Sequence, residues 1–338
     1  NAAEQADDYF NTVLYTGNGS TQSITGVGHQ PDFVWIKKRS ATGNHNLTDV
    51  IRGVDKVLFT NSTNAESTFS GGLSSFDSDG FSLAGGDTGF NASGSTYASW
   101  NWKAGGTAVS NTDGSITSSV SAAPDAGFSI VSYTGTGANA TVGHGLSSAP
   151  EMVIVKRRVD AGYDWIVGNS DIGWGSYLIL NATTASQSAT TVWNSTEPTS
   201  TVFSLGSDAY VNASTKTYIA YCFHSSDICK VGSYVGNNST DGPFSYTGFR
   251  PAWLMLKRSD STASWLIYDD KRDTYNQMQY ALFPNLSNAE YTSNLLHVDF
   301  LSNGFKIRNS TYGETNASGG SYIYLAFAEA PFKYANAR

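Results

Sequence analysis

One pattern occurs three times along the chain, and this repetition limits the possible folds more than any other feature. In each copy a proline precedes a hydrophobic strand that ends in basic residues: PDFVWIKKR from Pro31, PEMVIVKRR from Pro150 and PAWLMLKRS from Pro251. A lysine falls six residues after each proline, at Lys37, Lys156 and Lys257. The prolines are 119 and 101 residues apart, about the size of one domain, so the repeat decides the domain organisation.

Other landmarks keep the same order around these proline-led strands. Each copy opens with an aromatic strand that runs into a glycine or asparagine turn, at residues 10–19, 128–137 and 229–238. Each copy closes with an Asn-Ala-Ser motif and a second aromatic strand, at residues 91–103, 212–224 and 316–328. The conserved order indicates internal triplication.

The landmarks have the composition of short β-strands. They are rich in Val, Ile, Tyr, Phe, Trp and Thr and are bounded by Gly, Asn, Asp and Ser. The proline-led strands are continuously apolar, which predicts that both of their faces are covered. We expect two-residue hairpin turns at Asp79-Gly80 and Asn303-Gly304, and at most single helical turns at 61–66 and 285–290. The predicted fold is all-β, with three tandem antiparallel β-sandwich units of a jelly-roll or concanavalin-like type.

The repeat borders divide the chain into unit 1 (residues 1–103), unit 2 (127–226) and unit 3 (227–338). Residues 104–126 are small and polar, and are predicted to form a Gly/Ser-rich connector that is either flexible or an exposed strand ribbon. Only about five residues separate units 2 and 3, so these units should touch. The chain begins at Asn1 instead of Met, and we expect it to be a piece of a longer polypeptide.

Cysteine and charge contribute mainly exclusions. Cys222 and Cys229 could form a local disulfide, but two small buried residues near a repeat border are the favoured interpretation. Charged residues make up 14% of the chain, the net charge is -8, and basic clusters are lacking. This pattern argues against nucleic-acid binding, and no apolar run is long enough for membrane insertion.

Three segments resemble a repeated β-rich module in virion proteins of marine tailed bacteriophages. They are YTGNGSTQSITGVGHQPDFVWIKKRS, SNTDGSITSSVSA and NASGGSYIYLAFAEAPFKYANAR, of which PFKYANAR is the most specific piece. The resemblance covers essentially the whole chain and implies a tail fibre, tailspike or other surface protein located on the virion. It also implies contacts with other virion proteins and a homotrimer. It supplies no catalytic or ligand residues.

The acidic residues do not form a recognisable catalytic or metal pattern. Asp269, Asp270 and Asp273 cluster with Lys271 and Arg272. A glycosidase needs two carboxylates across a cleft, whereas carboxylates beside cations suit ion pairing at a strand end. The DSDG sequence at 77–80 lacks the remaining ligands of a calcium loop. We therefore expect no enzyme activity, catalytic residue, metal or cofactor.

The tryptophans offer the best candidates for a ligand surface. Trp165 and Trp265 occupy equivalent positions beside polar turns, and Trp174 and Trp193 belong to the loop-rich half of unit 2. Exposed tryptophans stack on sugar rings, and a carboxylate such as Asp269 can hydrogen-bond to sugar hydroxyls. These five residues are the predicted glycan contacts, although core packing is the simpler interpretation for each tryptophan.

Together these observations predict a non-enzymatic virion surface protein, the distal part of a tail fibre or spike, whose loop tips contact a host-cell glycan. Several weak sites on one particle would raise avidity. Two alternatives stay open. The first is a purely structural capsid-decoration or tail protein without a ligand, and the second is a tailspike that depolymerises polysaccharide.

Overall fold

The computed structural model describes residues 5–292, 296–310 and 312–329, and this part of the chain is an all-β structure. The pairings between its strands form several antiparallel sheets. The PFKYANAR segment, on which the phage resemblance depends most, lies outside the described residues. No helix in the described ranges is long and apolar enough to cross a membrane.

The elements follow the predicted landmarks in each unit. Unit 1 contains a 3₁₀ turn (Ala6–Asp8), β1 (Phe10–Thr16), β2 (Gln22–Thr25), β3 (Phe33–Lys38), β4 (His45–Asp49), β5 (Lys56–Phe59), β6 (Ser67–Thr68), β7 (Leu73–Asp77), β8 (Gly80–Leu83), α1 (Thr88–Asn91) and β9 (Thr96–Trp102). Between units 1 and 2 lie β10 (Val109–Asn111) and β11 (Ser118–Ala123). Unit 2 contains β12 (Phe128–Thr134), β13 (Ala140–Gly143), β14 (Met152–Arg157), β15 (Trp165–Asn169), a 3₁₀ turn (Ser170–Ile172), β16 (Ser176–Ile179), β17 (Gln187–Ser188), α2 (Thr190–Trp193), β18 (Val202–Leu205), α3 (Ala209–Asn212) and β19 (Thr217–Phe223). Unit 3 contains β20 (Cys229–Val235), β21 (Phe244–Tyr246), β22 (Pro251–Arg258), β23 (Trp265–Asp269), β24 (Tyr280–Ala281), β25 (Tyr291–Thr292), β26 (Val298–Leu301), β27 (Gly304–Ile307), α4 (Gly313–Asn316) and β28 (Ser321–Ala328).

The same strand order recurs in the large sheet of each unit. The opening strand pairs with the closing strand, which pairs with the proline-led strand and then with its neighbour: β1-β9-β3-β4, β12-β19-β14-β15 and β20-β28-β22-β23. Each unit also has smaller sheets: β2-β8-β7 in unit 1, β13-β18 in unit 2, and β21-β27-β26 with β24-β25 in unit 3. The pairing pattern therefore follows the sequence repeat.

The predicted connector is part of a sheet. Strands β10 and β11 pair with each other, and β11 pairs with β12, so they extend the large sheet of unit 2. Of the two forms that the composition allowed, the structure has the strand ribbon. Residues 104–126 thus contain two strands that join the connector to unit 2.

Two kinds of hydrophobic core explain why the proline-led strands are apolar throughout. Val34 and Ile36 on β3 pack in a cluster that belongs to unit 1 alone, with residues of its smaller sheet. Phe33 and Trp35 alternate with them and pack in a cluster shared by all three units, which we call the shared core. Successive side chains of a strand point to opposite faces, so each such strand supplies both cores. All six residues of β3 are buried, which confirms the predicted coverage of both faces.

Two local predictions were wrong in detail. The hairpins form, but Asp77 pairs with Gly80 and Leu301 with Gly304, so the turn residues are 78–79 and 302–303, one position earlier than predicted. The segments at 61–66 and 285–290 form no helical turn. One backbone N–H at the end of each segment, that of Glu66 or Glu290, donates instead to a neighbouring unit, as described below.

The two cysteines do not form a disulfide. Cys222 and Cys229 are both buried, and both are free thiols. Burial raises the pKa of each thiol above its ordinary value. A high pKa lowers the fraction of reactive thiolate, so both residues behave as small core residues.

Candidate functional site

The three units meet through one type of contact that is used three times. The backbone N–H of Glu66 donates to the Arg158 carbonyl at 2.8 Å, which joins unit 1 to unit 2. The equivalent bonds from Ser186 to Ser259 and from Glu290 to Arg39, also at 2.8 Å, join unit 2 to unit 3 and unit 3 back to unit 1. The three units therefore form a closed ring around the shared core.

The lysine that follows each proline by six residues lies in these interfaces. The ammonium groups of Lys37, Lys156 and Lys257 donate to backbone carbonyls of the adjacent unit, at 3.2 Å to Ser287, 3.4 Å to Thr63 and 3.3 Å to Thr183. The three side chains are buried, and burial lowers the pKa of each lysine to about 8. The regular spacing of these lysines serves assembly of the units.

Trp165 and Trp265 belong to the same interfaces. The indole Nε1 of Trp165 donates to the Phe59 carbonyl at 2.8 Å, and that of Trp265 donates to the Ile179 carbonyl at 2.9 Å. His45 holds the equivalent position in unit 1, and burial lowers its pKa well below the ordinary value. Both tryptophans are buried in the shared core, so they join units and present no stacking face to solvent.

Trp174 and Trp193 fill the core of unit 2. Their rings meet edge to face with centroids 5.5 Å apart. They cover Gly168, where an added Cβ would lie only 2.4 Å from Cζ3 of Trp174. The equivalent residue in unit 3 is Tyr268, so in unit 2 a turn and α2 supply two ring systems to space that a strand residue fills in unit 3.

Asp269 is the fifth predicted glycan contact, and it is also inside the protein. Its Oδ2 accepts from Arg272 Nε at 2.5 Å and from Trp100 Nε1 at 2.9 Å. Asp49 and Arg52 form the same buried pair in unit 1, so the predicted ion pairing at a strand end is confirmed. Burial of Asp269 and of the four tryptophans contradicts their assignment as glycan contacts. For Trp165, Trp265 and Asp269 the sequence alone could not reveal this, because groups from another unit contact them.

Two of the three interfaces between units contain an ionic network, and the third has neutral residues at the equivalent positions. Glu66 pairs with Arg158 at 3.0 Å and with Arg52 at 3.4 Å between units 1 and 2. Glu290 pairs with Arg39 and Arg272 in the same way between units 3 and 1, at 2.8 and 3.1 Å. Between units 2 and 3 the equivalent positions hold neutral residues: Ser186, Ser259, Asn169 and Ile172. All members of the ionic network are thus replaced together at one interface.

A surface feature distinguishes unit 3 from the others. The chain takes four residues more from Asp269 to Leu282 than from Asp49 to Leu58 in unit 1. The insertion carries Tyr275, which is 81% exposed, the highest value among the large hydrophobic residues that the structure describes. The end of the loop packs Met278 into the unit 3 core, whereas Tyr275 projects to solvent, so the exposed part of the loop is the best candidate for a functional element.

The inserted loop borders a groove of about 560 Å³, which we call the unit 3 groove. The residues that line it are Arg250, Thr274, Tyr275, Asn276, Phe300, Leu301, Ser302 and Asn303. The side chain of Asn276 donates to the Phe300 carbonyl at 2.9 Å and accepts from the Phe300 N–H at 2.8 Å. This two-point bond fixes the loop to β26. Comparing loop lengths between the repeats would have located the site from the sequence.

A second depression, of about 500 Å³, lies where the start of unit 1 meets the borders of unit 2. Its polar residues include Asp125, His224, Ser226 and Asp227. His224 contacts the carbonyls of Ser225 and Pro124 at 2.8 and 3.1 Å, and Ser226 Oγ accepts from the Cys229 N–H. Because these groups already hold the chain turn, the unit 3 groove is the stronger candidate.

Comparison with known families places the whole triplicated body in one group. A family model described as a domain of unknown function, DUF7483, matches residues 5–331. The chain belongs to the DUF7483 family. No curated protein and no solved structure matches it. The match spans all three units of this chain.

Proposed function

We propose that this DUF7483 chain is a non-enzymatic surface protein of a tailed-phage virion, the distal part of a tail fibre or spike, and that its unit 3 groove contacts a host-cell glycan. The virion location and the contacts with other virion proteins are supported by the resemblance of the three segments quoted above. The observation that carries the binding role is Tyr275, exposed on an inserted loop beside a polar groove.

The groove has the parts that a sugar site needs. An exposed tyrosine offers a flat apolar face to a sugar ring at low entropic cost. Ser302 and Asn303 offer a hydroxyl and an amide for sugar hydroxyls. The bonds between Asn276 and Phe300 hold the loop in place, so little conformational entropy remains to be lost on binding.

We also infer that each unit is a β-sandwich of the jelly-roll or concanavalin-like type. This is supported by the unit cores, which contain residues of both the large and the smaller sheet, such as Val153 on β14 and Phe203 on β18. The homotrimer remains a prediction of the resemblance. Three units already surround one core within a single chain, so a trimer of chains would meet through other surfaces.

A glycan array with the purified chain, followed by an adsorption-blocking assay, tests the binding role. Tyr275→Ala should abolish both glycan binding and competition for host cells. Phe244→Ala is the matched control, since Phe244 is a 44% exposed aromatic residue of unit 3 that does not line the groove. If the unmodified chain binds no glycan and does not inhibit adsorption, the receptor-binding role is refuted and a ligand-free structural role takes its place. Turnover of a host polysaccharide would instead establish the depolymerising alternative.

A further inference from the structure

We infer that the unit 3 groove selects acidic glycans, with a sugar carboxylate bound by the guanidinium of Arg250. This inference rests on the proposed glycan-binding function and specifies its ligand class.

The charge of the groove is the first argument. Of the described residues that line it, Arg250 is a cation and none is a carboxylate. The chain as a whole has a net charge of -8, and the second depression is lined by Asp125 and Asp227. Arg250 is paired with Glu329, but Glu329 does not line the groove, so the part of the groove that the structure describes presents a guanidinium and no carboxylate to an acidic ligand.

The geometry of Arg250 is the second argument. Its Nη1 donates to Glu329 Oε2 at 2.8 Å, which uses one of the five N–H donors of the guanidinium. The side chain is 18% exposed, and it lines the groove. Glu329 lies outside the groove and orients the planar guanidinium. The other N–H groups of this guanidinium can form two parallel hydrogen bonds to a carboxylate, which a single hydroxyl cannot accept.

The repeat comparison is the third argument. The residue before the proline is Gln30 in unit 1 and Ala149 in unit 2, while unit 3 has Arg250. The arginine and the loop with Tyr275 thus occur together, in the same unit. Stacking on Tyr275 and a charged bond to Arg250 would hold two parts of one acidic sugar, with one site per chain.

The test compares paired ligands. A panel of uronic-acid and sialic-acid oligosaccharides, each with its carboxyl-reduced neutral form, is titrated against the whole chain at low and high salt. We expect at least one acidic member to bind about tenfold or more tightly than its reduced form, with the preference weakened by salt. Arg250→Gln should remove this preference, and Arg250→Lys, which keeps the charge but loses the planar fork, should retain part of it.

Glu329→Gln serves as the control for the ion pair, because it removes the partner of Arg250 but keeps the guanidinium. This variant should retain the preference for acidic sugars, and thermal melting shows whether each variant is folded. Equal binding of acidic and reduced forms that is lost in Tyr275→Ala would overturn the present inference and leave the proposed function standing. A preference that persists in a folded Arg250→Gln variant would also overturn it. Absence of binding to every member of the panel and of the array would refute the proposed function itself.

Discussion

Replacing Asp269 by asparagine tests the buried ionic network where units 3 and 1 meet. The carboxylate of Asp269 accepts from Arg272 Nε at 2.5 Å, from the Arg272 backbone N–H at 2.8 Å and from Trp100 Nε1 at 2.9 Å. The side chains of Asp269 and Arg272 are both inaccessible to solvent. The neutral amide leaves the Arg272 charge with Glu290 at 3.1 Å as its remaining carboxylate partner.

The size of the effect follows from the burial of the pair. Removing one partner of a buried ion pair costs about 3–5 kcal/mol, because the other charge stays desolvated. At roughly 2 cal/mol/K of unfolding entropy per residue, a chain of 338 residues has about 0.7 kcal/mol/K, so the melting temperature should fall by about 4–7 °C. Asp55→Asn is the exposed control. Its carboxylate is 47% exposed and pairs with Lys56 at 3.2 Å, so the loss should be below about 1 kcal/mol.

The sequence of unit 2 suggests a second substitution that should compensate for Asp269→Asn. It carries Asn169 and Ile172 where unit 3 carries Asp269 and Arg272, so the double variant Asp269→Asn/Arg272→Ile copies a solution that this fold already uses. Calorimetry and denaturant titration should show the double variant to be more stable than Asp269→Asn by at least about 2 kcal/mol. A double variant as unstable as the single one would refute the view that the two positions act as an exchangeable pair.

Three further predictions concern buried groups. The pKa of each interface lysine is lowered to about 8, below the unfolded value near 10.5, so the folded chain loses these protons at a lower pH than the unfolded chain. The free energy of unfolding should therefore rise between pH 8 and 9.5, by up to about 1.4 kcal/mol per lysine and pH unit, and thermal melts would show this rise. Lys257→Met should remove about a third of that slope, and a melting temperature that does not rise with pH in the parent chain would contradict the assignment. Burial raises the pKa of Asp270 to about 6, so Asp270→Asn should stabilise the fold at pH 7.5 by about 1–3 kcal/mol. The gain should shrink by pH 5, because the carboxyl of the parent chain takes up a proton there. An equal gain in stability at both pH values would argue against burial of the charge as its origin. Gly168→Ala should lower the denaturant midpoint by an amount equal to about 1–3 kcal/mol, because its Cβ meets Trp174, whereas Gly175→Ala, whose nearest neighbour is 3.6 Å away, should have little effect.

The strands could be predicted because their signal is local. Alternating and continuous apolar runs located β3, β14 and β22 within about two residues, and the repeat indicated that the three units contain corresponding strands. A strand buried on both faces reads as unbroken hydrophobicity, which the sequence displays directly. The single helical turns that the sequence allowed at 61–66 and 285–290 do not form, and the Glu66 and Glu290 N–H groups donate to another unit, which no local pattern shows.

The candidate site could not be predicted from residue types. Tryptophans beside polar turns look the same whether they face solvent or a neighbouring unit, and Trp165 finds its carbonyl partner at Phe59, more than a hundred residues earlier. No sequence motif singled out Tyr275 as a binding residue. The longer loop that carries it is visible in the sequence once the three repeats are compared.

The amino-acid sequence by itself determined that the chain is all-β, that it is built three times over, and that each proline-led strand is covered on both sides. Only the tertiary structure decided that the units close into a ring, that Lys37, Lys156 and Lys257 lie inside its interfaces, and that Tyr275 is exposed beside Arg250. The physical reason is that strand formation depends on neighbouring residues, whereas burial and charge pairing depend on surfaces that folding brings together from distant parts of the chain.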